Sequence, residues 1–244
     1  MSNEEYKKEF FFKGNDKGCL LVHGFSSTPA ELRELAERLS SEGFTVLAVR
    51  LAGHGTEIED MEKCTYNDWI KSVEEGYMRL KDICKEIYVI GHSMGSLLAL
   101  YIAENHVVDK IVTLAPAIIT KDKNAKFVPI VKHFIRYIEW KAKNRPEEEA
   151  KYLLGYRKIP LASVHELGKL QRIVRKQLPQ INKPILIIQS HKDQTVDEKG
   201  VEVIEKNVTS QNVKKIYLNN CGHNITVECE KENVFTEVTN FLLV

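Results

Sequence analysis

The sequence predicts an α/β fold: a mainly parallel sheet of about seven strands, helices on both faces, and one helical insertion. Three observations predict it. Short β-branched runs alternate with helical stretches, the rhythm of strand–helix–strand units. Most of these runs are continuously apolar, as in strands buried on both faces. The rhythm also stops once, between about residues 117 and 183, where no good strand is visible and apolar residues recur at helical spacing.

The expected strands cover residues 19–22, 45–49, 87–90, 111–114, 185–189 and 215–218, with Phe10-Phe11-Phe12 as a further short strand. The first helix spans 31–41. Thr28 is expected to cap it, Pro29 suits its first turn, Glu31 completes a capping box, and Gly43 follows its end. Further helices are expected at 66–83, 94–104, 199–205 and 231–243. In the interrupted stretch, Phe127, Ile130, Val131, Phe134, Ile135 and Ile138 share a helical period. A charged run at 141–151 follows, broken by Pro146, and Leu167, Leu170, Ile173 and Val174 mark another helix. Both ends of the stretch join strands, so the reading is a core of 1–116 and 184–244 carrying a cap at 117–183. The cap is an insertion, not an independent domain.

A chain of 244 residues suits one such domain and can bury a sizeable core. Lys plus Arg total 35 against 34 Asp plus Glu, and a net charge of +1 gives no electrostatic reason to expect nucleic acid or a membrane surface as partner. No apolar run is long enough to cross a bilayer, and the charged residues 1–8 lack the apolar stretch of a signal peptide. The five cysteines form no CxxC pair, so neither a disulfide framework nor a zinc site is expected. The cysteine usage fits a reducing cytosol, the cytoplasmic compartment; a monomer or homodimer is expected, and no metal or organic cofactor is implied.

The chemistry is concentrated in Gly91-His92-Ser93-Met94-Gly95, which follows an expected strand and opens an expected helix. That context distinguishes a nucleophile elbow from an ordinary Gly-rich turn. Ser93 must stand on a strained turn, and side chains at Gly91 and Gly95 would collide within it. The N–H of Met94, at the helix N-terminus, faces developing negative charge. A serine hydroxyl needs a base. His223, after the last strand and beside Gly222, can meet Ser93 along the C-terminal edge of a parallel sheet. Asp193, after the strand at 185–189, supplies the orienting carboxylate, with Asp197 as its competitor. The order Ser, acid, His after successive strands favours Asp193. His23-Gly24-Phe25 follows the strand at 19–22, and the N–H of Phe25 is the second oxyanion donor. His23 and His54 read as structural braces.

Together with Gly53-His54-Gly55-Thr56, Asp68-Trp69 and the cap, these motifs resemble the α/β-hydrolase superfamily, and within it the small bacterial carboxylesterases and monoacylglycerol lipases. The resemblance covers nearly the whole chain. It implies the α/β-hydrolase fold, Ser93 as nucleophile, Asp193 as acid, His223 as base, and Phe25 and Met94 as oxyanion amides. The chain departs from the family in having one short strand before Cys19, Ser96 after the elbow, and Cys221 before Gly-His. The implied activity is hydrolysis of short- to medium-chain acyl esters or monoacylglycerols, small-molecule substrates. The apolar stripe Phe127, Ile130, Phe134 and Ile138 is expected to border the acyl site. A thioesterase or C–C hydrolase with the same triad, or a receptor that kept the hydrolase shell, are the alternatives.

Overall fold

The computed structural model describes residues 3–140 and 145–244. Among these residues nine strands appear in chain order: β1 (Phe10–Phe12), β2 (Lys17–Val22), β3 (Thr45–Val49), β4 (Glu86–His92), β5 (Lys110–Leu114), β6 (Tyr137–Glu139), β7 (Lys158–Pro160), β8 (Ile185–Ser190) and β9 (Val213–Leu218). Seven form the main sheet, in the order β1-β3-β2-β4-β5-β8-β9. β1 pairs antiparallel with β3, and every other neighbour in this sheet is parallel. The expected strands are all present, some longer by one or two residues at an end.

Burial explains the continuous apolar runs. Every residue of β3 and β8, and all but the first of β2, β4 and β5, is buried. The two edges differ. β9 exposes Lys214 and Lys215, charges that discourage further strand addition. At the other edge, the Arg33 guanidinium lies 4.6 Å and 4.9 Å from the ring centres of Phe10 and Phe12, a cation–π clamp over β1.

The helix Met94–Asn105 is mostly apolar, with Leu97, Leu98, Ala99, Leu100 and Ile102 buried. It is enclosed between the sheet and the helix Leu161–Gln177, whose Leu167, Leu170 and Val174 join the main core. The C-terminal part of the segment 117–183 therefore joins the main core, packed on the helix Met94–Asn105. The remainder holds a 3-10 turn at Lys123–Phe127, a short helix at Val128–Val131, and an antiparallel β6–β7 hairpin, which the sequence reading had not expected. Of the charged run at 141–151, residues 141–144 lie outside the described residues, and Pro146 precedes a short helix at Glu147–Ala150.

Two local expectations need correction. The stripe Phe127, Ile130, Phe134 and Ile138 does not lie on one helix. After Val131 the backbone bonds tighten, His133 to Ile130 and Phe134 to Val131, and the chain then turns into β6, where Ile138 pairs with Ile159. All four side chains are exposed, Phe134 by 85%. The capping box at Thr28 and Glu31 also does not form. A 3-10 turn at Pro29–Leu32 precedes the helix Arg33–Ser41, Thr28 makes no side-chain cap bond, and Glu31 turns into the protein interior. Gly43 does end the helix, at φ +89°.

Candidate active site

Strand order decides where a site can form. From β2 the chain steps outward to β3 and then returns to the other side of β2 as β4, so the direction of winding reverses between β2 and β4. In open parallel sheets the crevice beyond the carboxyl ends of two such strands is the natural binding place. His23-Gly24-Phe25 leaves β2 there, and Ser93 leaves β4.

Ser93 adopts φ 54°, ψ −114°, a left-handed conformation costly for a side-chain-bearing residue. The turn is possible because two glycines flank it. A Cβ on Gly91 would run into the carbonyl of Gly95, and one on Gly95 into the carbonyl of Val22. The Ser93 N–H donates to the Leu114 carbonyl at 2.8 Å, anchoring the turn to β5. Met94 is the first residue of the helix, where an N–H has no carbonyl partner within the helix. The β2 loop presses on the same spot, since a Cβ on Gly24 would lie 3.2 Å from Ser93 Cβ. The Phe25 ring behind it packs edge-on against buried Trp69, 5.9 Å between centroids.

His223 brings three elements together. Its Nε2 lies 2.9 Å from Ser93 Oγ, and its Nδ1 lies 2.7 Å from Asp193 Oδ2. Asp193 is fully buried, and accepts N–H bonds from Thr195 (2.7 Å) and Val196 (3.0 Å) and a side-chain N–H from Gln189 (3.2 Å). Burial opposes its charge, but the His223 hydrogen bond and these amides outweigh it and hold the carboxyl at about 2. Asp197 is a turn former, accepting the Lys199 N–H at 3.0 Å. The His223 loop is held by two carboxylates. Glu230 accepts the N–H groups of Asn220 and Cys221, and Glu228 accepts those of Gly222 and Asn224.

Two other histidines brace the walls. His23 donates from Nδ1 to the Gly24 carbonyl (2.9 Å) and accepts the Leu51 N–H at Nε2 (3.2 Å). Burial keeps it neutral, with its pKa pulled down to about 4. His54 bonds the Ala52 carbonyl at 3.0 Å, and burial pulls it down to about 3.

Sequence reasoning missed Glu31. It is 3% exposed, and its carboxylate accepts the Gly24 N–H (2.6 Å) and the Ser27 hydroxyl, with Oε1 2.8 Å from His92 Nδ1. Burial opposes its ionisation, but His92 brings it down to about 2. Burial likewise works against a charge on His92, and Glu31 overcomes it, raising the imidazole above its ordinary value. The sequence signal was present in Pro29-Ala30-Glu31-Leu32, an acid set among apolar residues, but it was read as a cap. The acyl-site candidates Phe127, Ile130, Phe134 and Ile138 are all exposed, on the segment between β5 and β8.

The parallel sheet, the serine turn after β4 and the crevice at the reversal define an α/β-hydrolase. The chain belongs to the Hydrolase_4 family, described as serine aminopeptidase, S33, whose model matches residues 14–230. It is 35% identical over 238 residues to a thermostable monoacylglycerol lipase of Bacillus sp. (strain H-257), covering 95% of this chain and 92% of that protein. It is 28% identical over 236 residues to a carboxylesterase of Bacillus subtilis (strain 168), covering 96% of both. A metagenome-derived lipolytic enzyme from the study of LipS and LipT superposes with a TM-score of 0.91 at 24% identity, over 97% of both chains, a likeness of fold. These relatives place the chain among the carboxylic-ester hydrolases of this fold.

Proposed function

We propose that the protein hydrolyses short- to medium-chain acyl esters or monoacylglycerols through a Ser93–His223–Asp193 triad and an acyl-enzyme. The observation that carries this reading is His223, with one ring nitrogen on the Ser93 hydroxyl and the other on the Asp193 carboxylate. Asp193, ionised and buried, fixes the tautomer with the proton on Nδ1 and leaves Nε2 free to accept the serine proton. Ser93 Oγ attacks the ester carbonyl as His223 takes that proton. The N–H groups of Met94 and Phe25 face the oxyanion. His223 then returns the proton to the leaving alcohol, and water cleaves the acyl-enzyme by the same route. The names of the Bacillus relatives support the ester class.

All five cysteines are free thiols, which supports a reducing compartment and the cytoplasm. Among the described residues, no helix is long and apolar enough to cross a membrane. The test is a panel of p-nitrophenyl esters and monoacylglycerols of graded chain length, run on wild type and Ser93→Ala. Turnover by wild type with one fluorophosphonate adduct per chain, on Ser93, is the expected result. Full activity in Ser93→Ala, or an adduct on another residue, overturns the assignment.

A further inference from the structure

His92 is buried, and each of its ring nitrogens faces an oxygen. Nδ1 lies 2.8 Å from Glu31 Oε1, and Nε2 lies 3.0 Å from the backbone carbonyl of His223. A carbonyl only accepts, so Nε2 carries a proton. Glu31 Oε1 already accepts the Gly24 N–H, and Oε2 pairs with the Ser27 hydroxyl. A carboxylate that receives these bonds is best served by an N–H from Nδ1 as well. The geometry therefore describes an imidazolium bound to a carboxylate, sealed from water, with side chains 1% and 2% exposed.

The three loops that this pair touches each carry a part of the reaction, the Asp193 loop after β8 being the fourth. Glu31 holds Gly24, the residue before Phe25. His92 is the residue before Ser93. Its far nitrogen holds the peptide carbonyl of His223. We propose that Glu31 and His92 are a positioning pair that fixes the oxyanion loop, the serine turn and the base loop relative to one another. The proposal rests on the triad reading above and adds to it two residues that touch neither substrate nor the reacting atoms.

The arrangement suits that role better than an apolar contact would. A buried pair is costly to break, because removing one partner leaves the other as an unpaired buried charge. It is also directional, since both ring nitrogens and both carboxylate oxygens are committed. A loop displacement near 1 Å can cost on the order of 10²-fold in rate, so a rigid tie across three loops has a direct effect on turnover. The groups surrounding His92 are Glu31, His23, Asp193 and His223. His23 is neutral, and Asp193 is committed to His223, which leaves Glu31 as the partner that holds the His92 proton.

The experiment combines a proton count with kinetics. In protein carrying 15N-labelled histidine, the His92 ring, assigned by comparison with His92→Gln, should show two ring N–H groups at neutral pH. Glu31→Gln should lose one of them. The same variant should lower kcat for p-nitrophenyl acetate roughly 10²-fold while KM moves only a few-fold, and should slow fluorophosphonate labelling of Ser93 in step. A lower Tm with unchanged kcat would make the pair merely structural and overturn the proposal. So would a wild-type His92 ring with a single N–H. If Glu31→Gln does not fold, the wild-type proton count still decides. Failure of the hydrolase reading is distinct, because it appears as wild-type protein that turns over no ester and takes no label on Ser93.

Discussion

Gly91 and Gly95 face each other across the Ser93 turn so closely that a Cβ on the first would enter the carbonyl of the second. A Cβ on Gly95 would in turn enter the Val22 carbonyl on β2. Both obstacles are backbone, which cannot swing aside as a side-chain tip can. Gly95→Ala should therefore cost at least about 1–3 kcal/mol of stability, the range for overpacking a core, and should displace Ser93 from His223. Urea melts and the rate of fluorophosphonate labelling check this. A variant of wild-type stability that labels at the wild-type rate would show that the turn relaxes freely.

The two candidate acids separate in the structure, and their variants should separate as well. Asp193→Asn places an amide against His223 Nδ1 and favours the wrong tautomer, so kcat should fall on the order of 10³–10⁴-fold. Asp197→Asn changes a turn beside Lys199 and should cost far less. Steady-state kinetics on one ester decide the order, and the reverse ranking would refute it.

Much of this site was legible because its chemistry lies in short contiguous words at strand ends. Gly91-His92-Ser93-Met94-Gly95 carries both its chemistry and the glycines its geometry needs. Continuous apolar runs such as Leu20-Leu21-Val22 announce strands covered on both faces. Glu31 was not legible in the same way. Its partner His92 lies 61 residues away, and the local pattern Thr28-Pro29-Ala30-Glu31 satisfies a capping rule that burial overrides. The β6–β7 hairpin escaped for a different reason. Each strand has three residues, too few for any period, and pairing of Ile138 with Ile159 ends a helical spacing that looked continuous from Phe127 onward.

Glu104 gives a pH prediction away from the site. Both of its carboxyl oxygens are buried without a hydrogen-bond partner among the described residues, and burial pushes its pKa up to about 9 from an ordinary 4.5. Between those values the folded protein binds a proton that the unfolded chain has lost. Stability from this group is thus fully present below about 4.5 and declines as pH rises towards about 9. The slope is at most about 1.4 kcal/mol per pH unit for one proton. Glu104→Gln should flatten it and stabilise the protein on the alkaline side. Urea melts across that range measure the difference, and parallel curves for wild type and variant would show that the carboxyl is ionised in place.

The exposed apolar residues of the insertion yield the last prediction. Phe127, Ile130, Phe134 and Ile138 are 50%, 66%, 85% and 40% exposed, so they do little to hold the insertion onto the core. The proposed triad and oxyanion residues all lie outside it, so on that reading substrate capture is separate from chemistry. If these side chains receive an acyl chain, each methylene they cover contributes up to about 0.8 kcal/mol. Replacing Phe127 and Ile130 together with Ser should then lower kcat/KM for a long-chain ester roughly tenfold, while p-nitrophenyl acetate, with nothing to lay against them, is hydrolysed at a nearly unchanged rate. Because the residues are exposed, Tm should hardly move. A chain-length profile that keeps its shape through all four positions would place the acyl site elsewhere. Loss of acetate hydrolysis in a still-folded variant would mean that the insertion shapes the triad itself, and the division between capture and chemistry would fall.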